Sequence, residues 1–367
     1  MIAFVKNALD AWRGAGEHAV TVPPMDGALS PNQIIEEAPV ILEIAAPDNL
    51  VASAGRILFS SGPEVHELQL QGVASSSKII KRYQHDVSAL ATSVAGVLAV
   101  GLDDGSLHIV GGKHDGIVRN AVAKQDIRCP VALQFVDEDR LLLAIGSRTN
   151  PRSGWKRDLM ERNSSGSVWR LNLADGRDEC LGENLGFPSG LAALGNGEVV
   201  VSEAWKNRIV RLGGRGKVTA ELQDVTGYPG AMSPADGGGY WLAVFAPRSQ
   251  LIEFVLRERD YRTCMMDEVD EGQWIAPTLE PTRTFLEPLQ GGALKQLGIL
   301  KPWAPTRSFG LVVRLDADFQ PLFSMHSRAD GRRHGITSCL EIDGRLLVTS
   351  KGGNLIISLP TQDPNGD

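Results

Sequence analysis

The chain has 367 residues, of which 43% are hydrophobic and 22% are charged, and its formal net charge at neutral pH is -7. This composition is typical of a globular protein with enough apolar residues for a large core. A mildly acidic chain lacks the strong positive charge that nucleic acids and anionic membranes attract, and no apolar run approaches the roughly 20 residues of a membrane span. We therefore expect neither a nucleic-acid nor a membrane partner.

Two features bear on the compartment in which the protein works. The apolar stretch at residues 2–5 is shorter than the about 7–15 residues of a secretory signal. Ala8, Leu9 and Trp12 then follow at helical spacing, so residues 1–36 are predicted to form an N-terminal helix and arm. The four cysteines form no CxxC pair, which favours reduced, buried thiols. These features predict a cytoplasmic protein.

A repeated unit runs along the chain. Each copy has a small or proline-containing entry, a short apolar strand, a turn and a second apolar strand, and three of the six turns contain Asp-Gly or Asn-Gly. The copies occupy residues 46–61, 129–147, 187–204, 228–245 and 334–350, with a weaker copy at 85–101. A single copy cannot bury both of its faces, whereas copies stacked around an axis can. We therefore predict an all-β fold, a six-bladed β-propeller over residues 37–360, with an open β-solenoid as the alternative.

Three segments fall outside the repeat. A strand near residues 39–44 is expected to pair with the last blade and close the ring. Residues 260–308 contain scattered prolines but no hairpin signal, which predicts a long insertion between blades five and six that packs over one face. Such an insertion is either a lid or a structural flap. Residues 361–367 are predicted to form a disordered tail.

Four segments carry a resemblance to a known family. They are SRTNPRSGWKRDLMERNSSGSVWRLNLADG (147–176), GFPSGLAALGNGEVVVSEAWKNRIVRL (186–212), GYPGAMSPADGGGYWLAV (227–244) and the stretch 309–350, which matches the last blade of the family. In this order they resemble the blades of strictosidine synthase-like proteins. That family belongs to a superfamily of six-bladed propellers with the SMP-30/gluconolactonase and paraoxonase-like lactonases. The resemblance implies the propeller fold and a lactonase-type or esterase-type hydrolase.

The start of each repeat is expected to line one mouth of the central channel. Alignment of the copies places there Asp48, Val131, Ser189, Gly230 and His334, each followed by a second position: Asn49, Ala132, Gly190, Ala231 and Gly335. The resemblance to lactonases implies a calcium ion at this mouth, and calcium prefers about 6–8 oxygen ligands. Ser189, Gly230 and Ala231 replace the ligand types of the family. We therefore expect no metal cofactor, with calcium as the doubtful exception.

Asp48 and His334 are the predicted catalytic residues. A histidine can transfer protons near neutral pH, and an aspartate across the ring could orient it or hold a water. The alternatives are a histidine bonded to backbone at a blade entry and an aspartate that caps a turn. Thr337 aligns with the catalytic glutamate of strictosidine synthase, which makes amine–aldehyde condensation the weaker alternative. His85 and Asp86 in the weaker copy could add a second titratable pair.

Two arginine-rich loops predict an anionic ligand. One loop holds Arg148 and Arg152, and the other holds Arg332 and Arg333 ahead of the last blade. Arginine forks suit carboxylate or phosphate groups, although solvated loop charge is the alternative reading. We predict a small, sugar-acid-like ligand that is hydrolysed as a lactone or ester, or else bound without catalysis by a propeller that has lost its metal. The predicted binding residues are Arg148, Arg332, Arg333, Ser189, Thr337 and Asn49.

Overall fold

Six four-stranded antiparallel sheets make up most of the structure, a computed structural model. It describes residues 22–71, 74–213, 217–281, 295–296, 299–300 and 306–363. The helix predicted around Ala8 and Trp12 lies outside these residues, as do most of the second half of the predicted insertion and the last residues of the predicted tail. None of the helices within the described ranges is long and apolar enough to cross a membrane.

The strands of the sheets follow one another in the chain, apart from β1 (Val40–Glu43), which belongs to blade six. Blade one contains β2 (Pro47–Ser53), β3 (Arg56–Ser61), β4 (Glu64–Gln71) and β5 (Ala74–Arg82). Blade two contains β6 (Val87–Thr92), β7 (Leu98–Leu102), β8 (Leu107–Val110) and β9 (Val118–Arg119), and a small hairpin of β10 (Ala121–Val122) and β11 (Gln125–Asp126) follows it. Blade three contains β12 (Pro130–Phe135), β13 (Arg140–Ile145), β14 (Gly166–Asn172) and β15 (Asp178–Leu185).

The second half of the ring is built in the same way. Blade four contains β16 (Pro188–Ala193), β17 (Val199–Glu203), β18 (Arg208–Gly213) and β19 (Lys217–Leu222). Blade five contains β20 (Gly227–Pro234), β21 (Tyr240–Pro247), β24 (Leu311–Leu315) and β25 (Pro321–His326), with the short pair β22 (Lys295–Gln296) and β23 (Ile299–Leu300) between its second and third strands. Blade six contains β26 (Ile336–Ile342), β27 (Arg345–Ser350) and β28 (Leu355–Leu359), together with β1. The helices are α1 (Ile34–Glu37), α2 (Trp155–Met160), α3 (Gln250–Arg257) and α4 (Arg259–Glu268).

Strand interiors are continuous apolar runs because both faces of each blade are covered by its neighbours. Alternate side chains of a strand point to opposite faces of its sheet. In β13, Leu141 and Leu143 pack in a cluster shared with blade two, while Leu142 and Ala144 pack in a cluster shared with blade four. A buried apolar cluster of this kind fills each of the six interfaces between blades in the described residues. The hydrophobic effect thus stabilises a closed ring rather than any one blade.

The predicted propeller and its closure are confirmed. Each repeat supplies the first two strands of one blade, and the first strands of neighbouring blades pack against each other around a complete ring. The strand β1 pairs with β28, with Val40 opposite Ile357 and Glu43 opposite Leu355. Because the first strand of the chain and the last strand share one sheet, the ring is held shut by backbone hydrogen bonds.

The position of the insertion is corrected by the strand order. The chain leaves blade five after β21 and returns as β24, which pairs with β21 through Val244 and Leu311. The insertion therefore lies inside blade five, not between blades five and six. The first part of the stretch 309–350 therefore does not belong to the last blade, because β24 and β25 form an antiparallel pair that completes the sheet of blade five.

Helices α3 and α4 of the insertion pack on the propeller rather than extending into solvent. Ile252 and Met265 are buried in the same apolar cluster as Leu159 and Met160 of α2. Farther along, the backbone carbonyl of Leu279 fits against Gly352 in blade six, where an added Cβ would lie 1.9 Å from it. The insertion thus contacts blades three and six on the side where the first strands begin.

Candidate functional site

A cavity lies on the axis of the propeller, where the first strands of the blades begin. Its volume, including the open mouth, is about 380 Å³. Every blade contributes at least one residue to its lining: Asp48, Asn49, Ser88, Val131, Arg152, Phe187, Ser189, Gly230, Ala231, Phe245 and Thr337. A site that draws on all six blades requires the whole ring to be assembled.

The lining arises from an irregularity repeated in every blade. Near the start of each first strand, its register against the second strand shifts, and the residues inside these shifts do not pair with the second strand. They include the following residues of the cavity wall: Asn49, Ser88, Val131, Ser189, Gly230, Ala231 and Thr337. Bulges of this kind re-aim side chains and are common beside active sites. The repeat thus presents one variable position per blade to a common centre.

Asp48 is the carboxylate of the cavity wall. Its side chain is buried, and its Oδ2 atom lies 2.9 Å from Nζ of Lys351, while Oδ1 accepts the backbone N–H of Asn49 at 2.9 Å. Burial raises the pKa of Asp48, but the positive charges of Lys351 and Arg152 and hydrogen bonds from Lys351 and Thr337 outweigh it, so the pKa lies below the usual range. Asp48 is therefore ionised at neutral pH.

Arg152 brings a second cation to the cavity from the loop ahead of α2. Its guanidinium carbon lies 5.9 Å from the centre of the Phe187 ring, within the range of a cation–π contact. Among the residues that the structure describes, it forms no hydrogen bond or salt bridge, although its charge acts on Asp48. The guanidinium donors are available to a ligand.

The hydroxyl groups of the cavity wall differ in whether they have a hydrogen-bond partner. Ser189 donates to the carbonyl of Phe187 at 3.0 Å, and the hydroxyl of Thr337 lies 3.1 Å from that of Thr349. The hydroxyl of Ser88 is buried and has no partner among the described residues. A buried hydroxyl without a partner is unfavourable, so Ser88 marks a point where a ligand atom or a water would bind.

One side of the cavity is aromatic. Phe187 and Phe245 line it and belong to a cluster of rings in which Phe187 and Trp205 lie 4.5 Å apart and Tyr228 and Phe245 lie 5.9 Å apart. Phe187 has a φ angle of 56°, a left-handed conformation that is rare for a residue with a large side chain. Backbone strain of this kind is concentrated at functional sites.

His334 does not line the cavity, so its predicted place at the channel mouth is corrected. Its side chain is fully buried, its Nε2 donates to the carbonyl of Arg328 at 2.7 Å, and its Nδ1 accepts from the hydroxyl of Ser308 at 2.8 Å. Burial lowers the pKa of His334, so the ring is neutral. It is the backbone-bonded histidine of the alternative reading, and Thr337, three residues later, lines the cavity instead.

The three arginines predicted to bind the ligand also lie away from the cavity wall. Arg148 is exposed and pairs with Glu183 at 2.7 Å. The guanidinium of Arg333 donates to the carbonyls of Ile35 and Ala38, because the loop ahead of blade six packs on α1. Arg332 is exposed beside it. The guanidinium groups of Arg148, Arg332 and Arg333 thus do not line the cavity, whereas Arg152, in the same loop as Arg148, does.

The remaining predicted residues meet at the cavity. Asp48, Asn49, Ser189 and Thr337 all line it. Ser88 was missed because blade two is the weakest repeat, and its register could not be read from His85 and Asp86. Arg152 was noticed only as loop charge, while Lys351, Phe187 and Phe245 gave no signal in the sequence, since they follow or precede the aligned strand starts by variable distances.

The donors in the cavity do not fit a calcium ion of the lactonase type. No group of three acidic, histidine or cysteine side chains that could hold a metal occurs in the described part of the chain. Asp48 supplies the carboxylate of the wall, and the ammonium of Lys351 already occupies one of its oxygens. With Lys351 and Arg152 nearby, a divalent cation would meet positive charge rather than a ring of oxygens.

Comparison with known proteins finds solved structures of similar fold. No protein-family model and no curated protein matches the chain. A gluconolactonase from Xanthomonas campestris superposes with a TM-score of 0.55 at 13% identity, covering 88% of this chain and 88% of that one. A protein named provisionally as a gluconolactonase superposes with a TM-score of 0.52 at 13% identity, covering 88% and 91%. The calcium-binding protein regucalcin from Agrobacterium tumefaciens gives a TM-score of 0.48 at 16% identity over 92% and 95%. The chain thus has the six-bladed propeller fold of the gluconolactonases.

Proposed function

We propose that this protein hydrolyses a small lactone or ester in the axial cavity, without a divalent cation. The observation that carries the proposal is the ionised Asp48 carboxylate at the axis, 2.9 Å from Lys351, in a cavity of about 380 Å³. The gluconolactonase among the structural neighbours supports the reaction class, since it shares this fold. Small-molecule sites of this kind combine apolar walls with a few converging polar groups.

In the proposed reaction Asp48 holds a water molecule and accepts its proton as the water oxygen attacks the carbonyl carbon. The Lys351 ammonium has N–H donors beyond the one that Asp48 accepts and is our candidate for stabilising the negative charge on the carbonyl oxygen. The ring C–O bond then breaks, and the leaving alkoxide takes the proton from Asp48. Lactone and water thereby give one hydroxy acid, and the enzyme returns to its starting state.

A non-catalytic ligand-binding propeller is the second candidate. The observation that favours it is the same ion pair, because a carboxylate whose pKa lies below its usual range is a weak base at neutral pH. His334, the other predicted acid–base group, is buried away from the cavity with both ring nitrogens bonded. In this reading Asp48 and Lys351 only shape the binding site.

Turnover of a panel of lactones and aryl esters, measured with and without EDTA, tests the proposal. Asp48→Asn should lower kcat/KM by about 100-fold or more, the usual contribution of a general base. Asp318→Asn, an exposed aspartate in a turn of blade five, is the matched control and should leave turnover unchanged. Full activity in Asp48→Asn, or loss in EDTA with recovery in calcium, would contradict the proposal, and ligand binding without turnover would favour the second candidate.

A further inference from the structure

The charged groups at the cavity leave one positive charge without a partner. Asp48 is neutralised by Lys351 at 2.9 Å. Arg152, which is half-buried, forms no ion pair with any described residue. Asp103 contacts the loop through the backbone N–H and the hydroxyl of Ser153, at 2.8 and 2.6 Å, and not through the guanidinium of Arg152. The cavity therefore suits an anionic ligand that binds this guanidinium.

An independent observation points to the same place. The side chain of Ser88 is 5% exposed, lines the cavity and has a hydroxyl without a partner among the described residues. Blade two thus offers a hydrogen bond to a ligand oxygen, and blade three offers the guanidinium of Arg152. An arginine fork and a hydroxyl together match the two oxygens of a carboxylate.

The rest of the wall limits the size and polarity of the ligand. Val131, Phe187 and Phe245 provide apolar surface, and the cavity, including its open mouth, measures about 380 Å³, which restricts the site to a small ligand. These features suit a compact acid whose two carboxylate oxygens bind the guanidinium and the hydroxyl and whose carbon body contacts the aromatic wall.

We infer that the ligand of the axial cavity carries a carboxylate, bound by the guanidinium of Arg152 and the hydroxyl of Ser88. The inference rests on the proposed function only for the place of binding. In a hydrolysis the substrate would be a lactone or ester that bears this carboxylate in addition to the reacting carbonyl group. In a binding protein the same acid would be the cargo.

Calorimetric titration with matched probes tests the inference. Phenylacetate and gluconate are each compared with their own uncharged amide, at low ionic strength. At least one acid should bind about tenfold or more tightly than its amide, since hydrogen bonds to a charged group contribute about 1.5–3 kcal/mol. Arg152→Gln should remove this preference, whereas Arg148→Gln, in the same loop but paired with Glu183 outside the cavity, should keep it.

Ser88→Ala provides a signature that a merely structural residue would not give. It should weaken binding of the acid several-fold while the melting temperature of the free protein stays the same or rises, because an unpartnered buried hydroxyl is removed. Equal binding of acids and amides, no binding of either acid, or an unchanged preference in Arg152→Gln overturns the inference. Carboxylate binding without turnover contradicts only the proposed hydrolysis, and turnover of uncharged lactones without an acid preference contradicts only this inference.

Discussion

Opposing effects on the pKa of Asp48 decide whether its carboxyl group is ionised. Burial in the cavity wall raises its pKa, and the neighbouring cations Lys351 and Arg152 lower it by more. The ammonium of Lys351 at 2.9 Å thus balances the negative charge of this buried carboxylate.

The pH dependence of Asp48 should change when Lys351 is removed. Because the pKa of Asp48 lies below the ordinary value for an aspartate, the wild-type carboxylate stays ionised at any pH above about 4. In Lys351→Met the effect of burial is opposed by Arg152, Thr337 and the backbone N–H of Asn49 without the ammonium, so the pKa rises and protonation begins at a higher pH. We expect the acid limb of kcat/KM, and the NMR titration of the Asp48 carboxyl, to move to higher pH.

Lys78→Met, which removes an exposed lysine from blade one, is the control for this experiment and should leave the titration of Asp48 in place. An unchanged titration in Lys351→Met would show that hydrogen bonds from the backbone and Thr337, not the ammonium, hold the carboxylate ionised. NMR reports the result whether or not the protein turns over a lactone.

At the scale of elements, the loop that carries Arg152 is fixed by a buried carboxylate. Asp158 of α2 is fully buried, and its Oδ1 accepts the side-chain amides of Asn150 at 3.0 Å and Asn163 at 2.8 Å. Its Oδ2 accepts the indole N–H of Trp205 from blade four at 2.8 Å. Asp158 therefore connects the loop ahead of α2 and the segment after α2 to the aromatic cluster behind the cavity, and this network fixes the loop that positions Arg152.

Asp158→Asn should loosen the loop and weaken binding at the cavity. An asparagine presents an NH2 group to one of the three donors, so at least one hydrogen bond to a buried group is lost, at a cost of about 1–3 kcal/mol in unfolding free energy. Urea unfolding followed by tryptophan fluorescence measures this change, with Asp318→Asn as the control. An unchanged unfolding free energy, or full acid binding in a destabilised variant, would show that Asp158 does not position Arg152.

At the scale of the whole molecule, the repeat accounts for what the sequence could predict. Blade number, closure and the axial location of Asp48, Asn49 and Ser189 follow from the strand starts, because the same short sequence pattern begins each blade. Thr337 was identified through the family resemblance instead, since the strand starts pointed to His334. What escaped prediction depends on contacts between distant segments. The insertion contains no repeat, so nothing local shows that it interrupts blade five. The prediction that His334 lies at the mouth was wrong because the loop ahead of β26 packs on the N-terminal arm. No pattern in the sequence indicates this contact.

The same arm covers a histidine that should make the stability of the whole propeller sensitive to acid. His326 in β25 is fully buried, its Nε2 lies 2.7 Å from the hydroxyl of Ser324, and its Nδ1 has no partner among the described residues. Burial lowers the pKa of His326 from 6.5 to about 4. The unfolded chain therefore binds a proton at His326 below about pH 6.5, whereas the folded chain binds it only near pH 4. The free energy of unfolding falls as the pH drops through this window.

The expected decrease in the free energy of unfolding is about 2–3 kcal/mol from His326, since one pKa unit corresponds to about 1.4 kcal/mol. Urea unfolding at several pH values in this window should show the loss in the wild type and a smaller slope in His326→Gln, with the exposed His85→Gln as the control. Parallel slopes in the wild type and His326→Gln would mean that the ring is protonated in the folded state and that the arm does not exclude water from it.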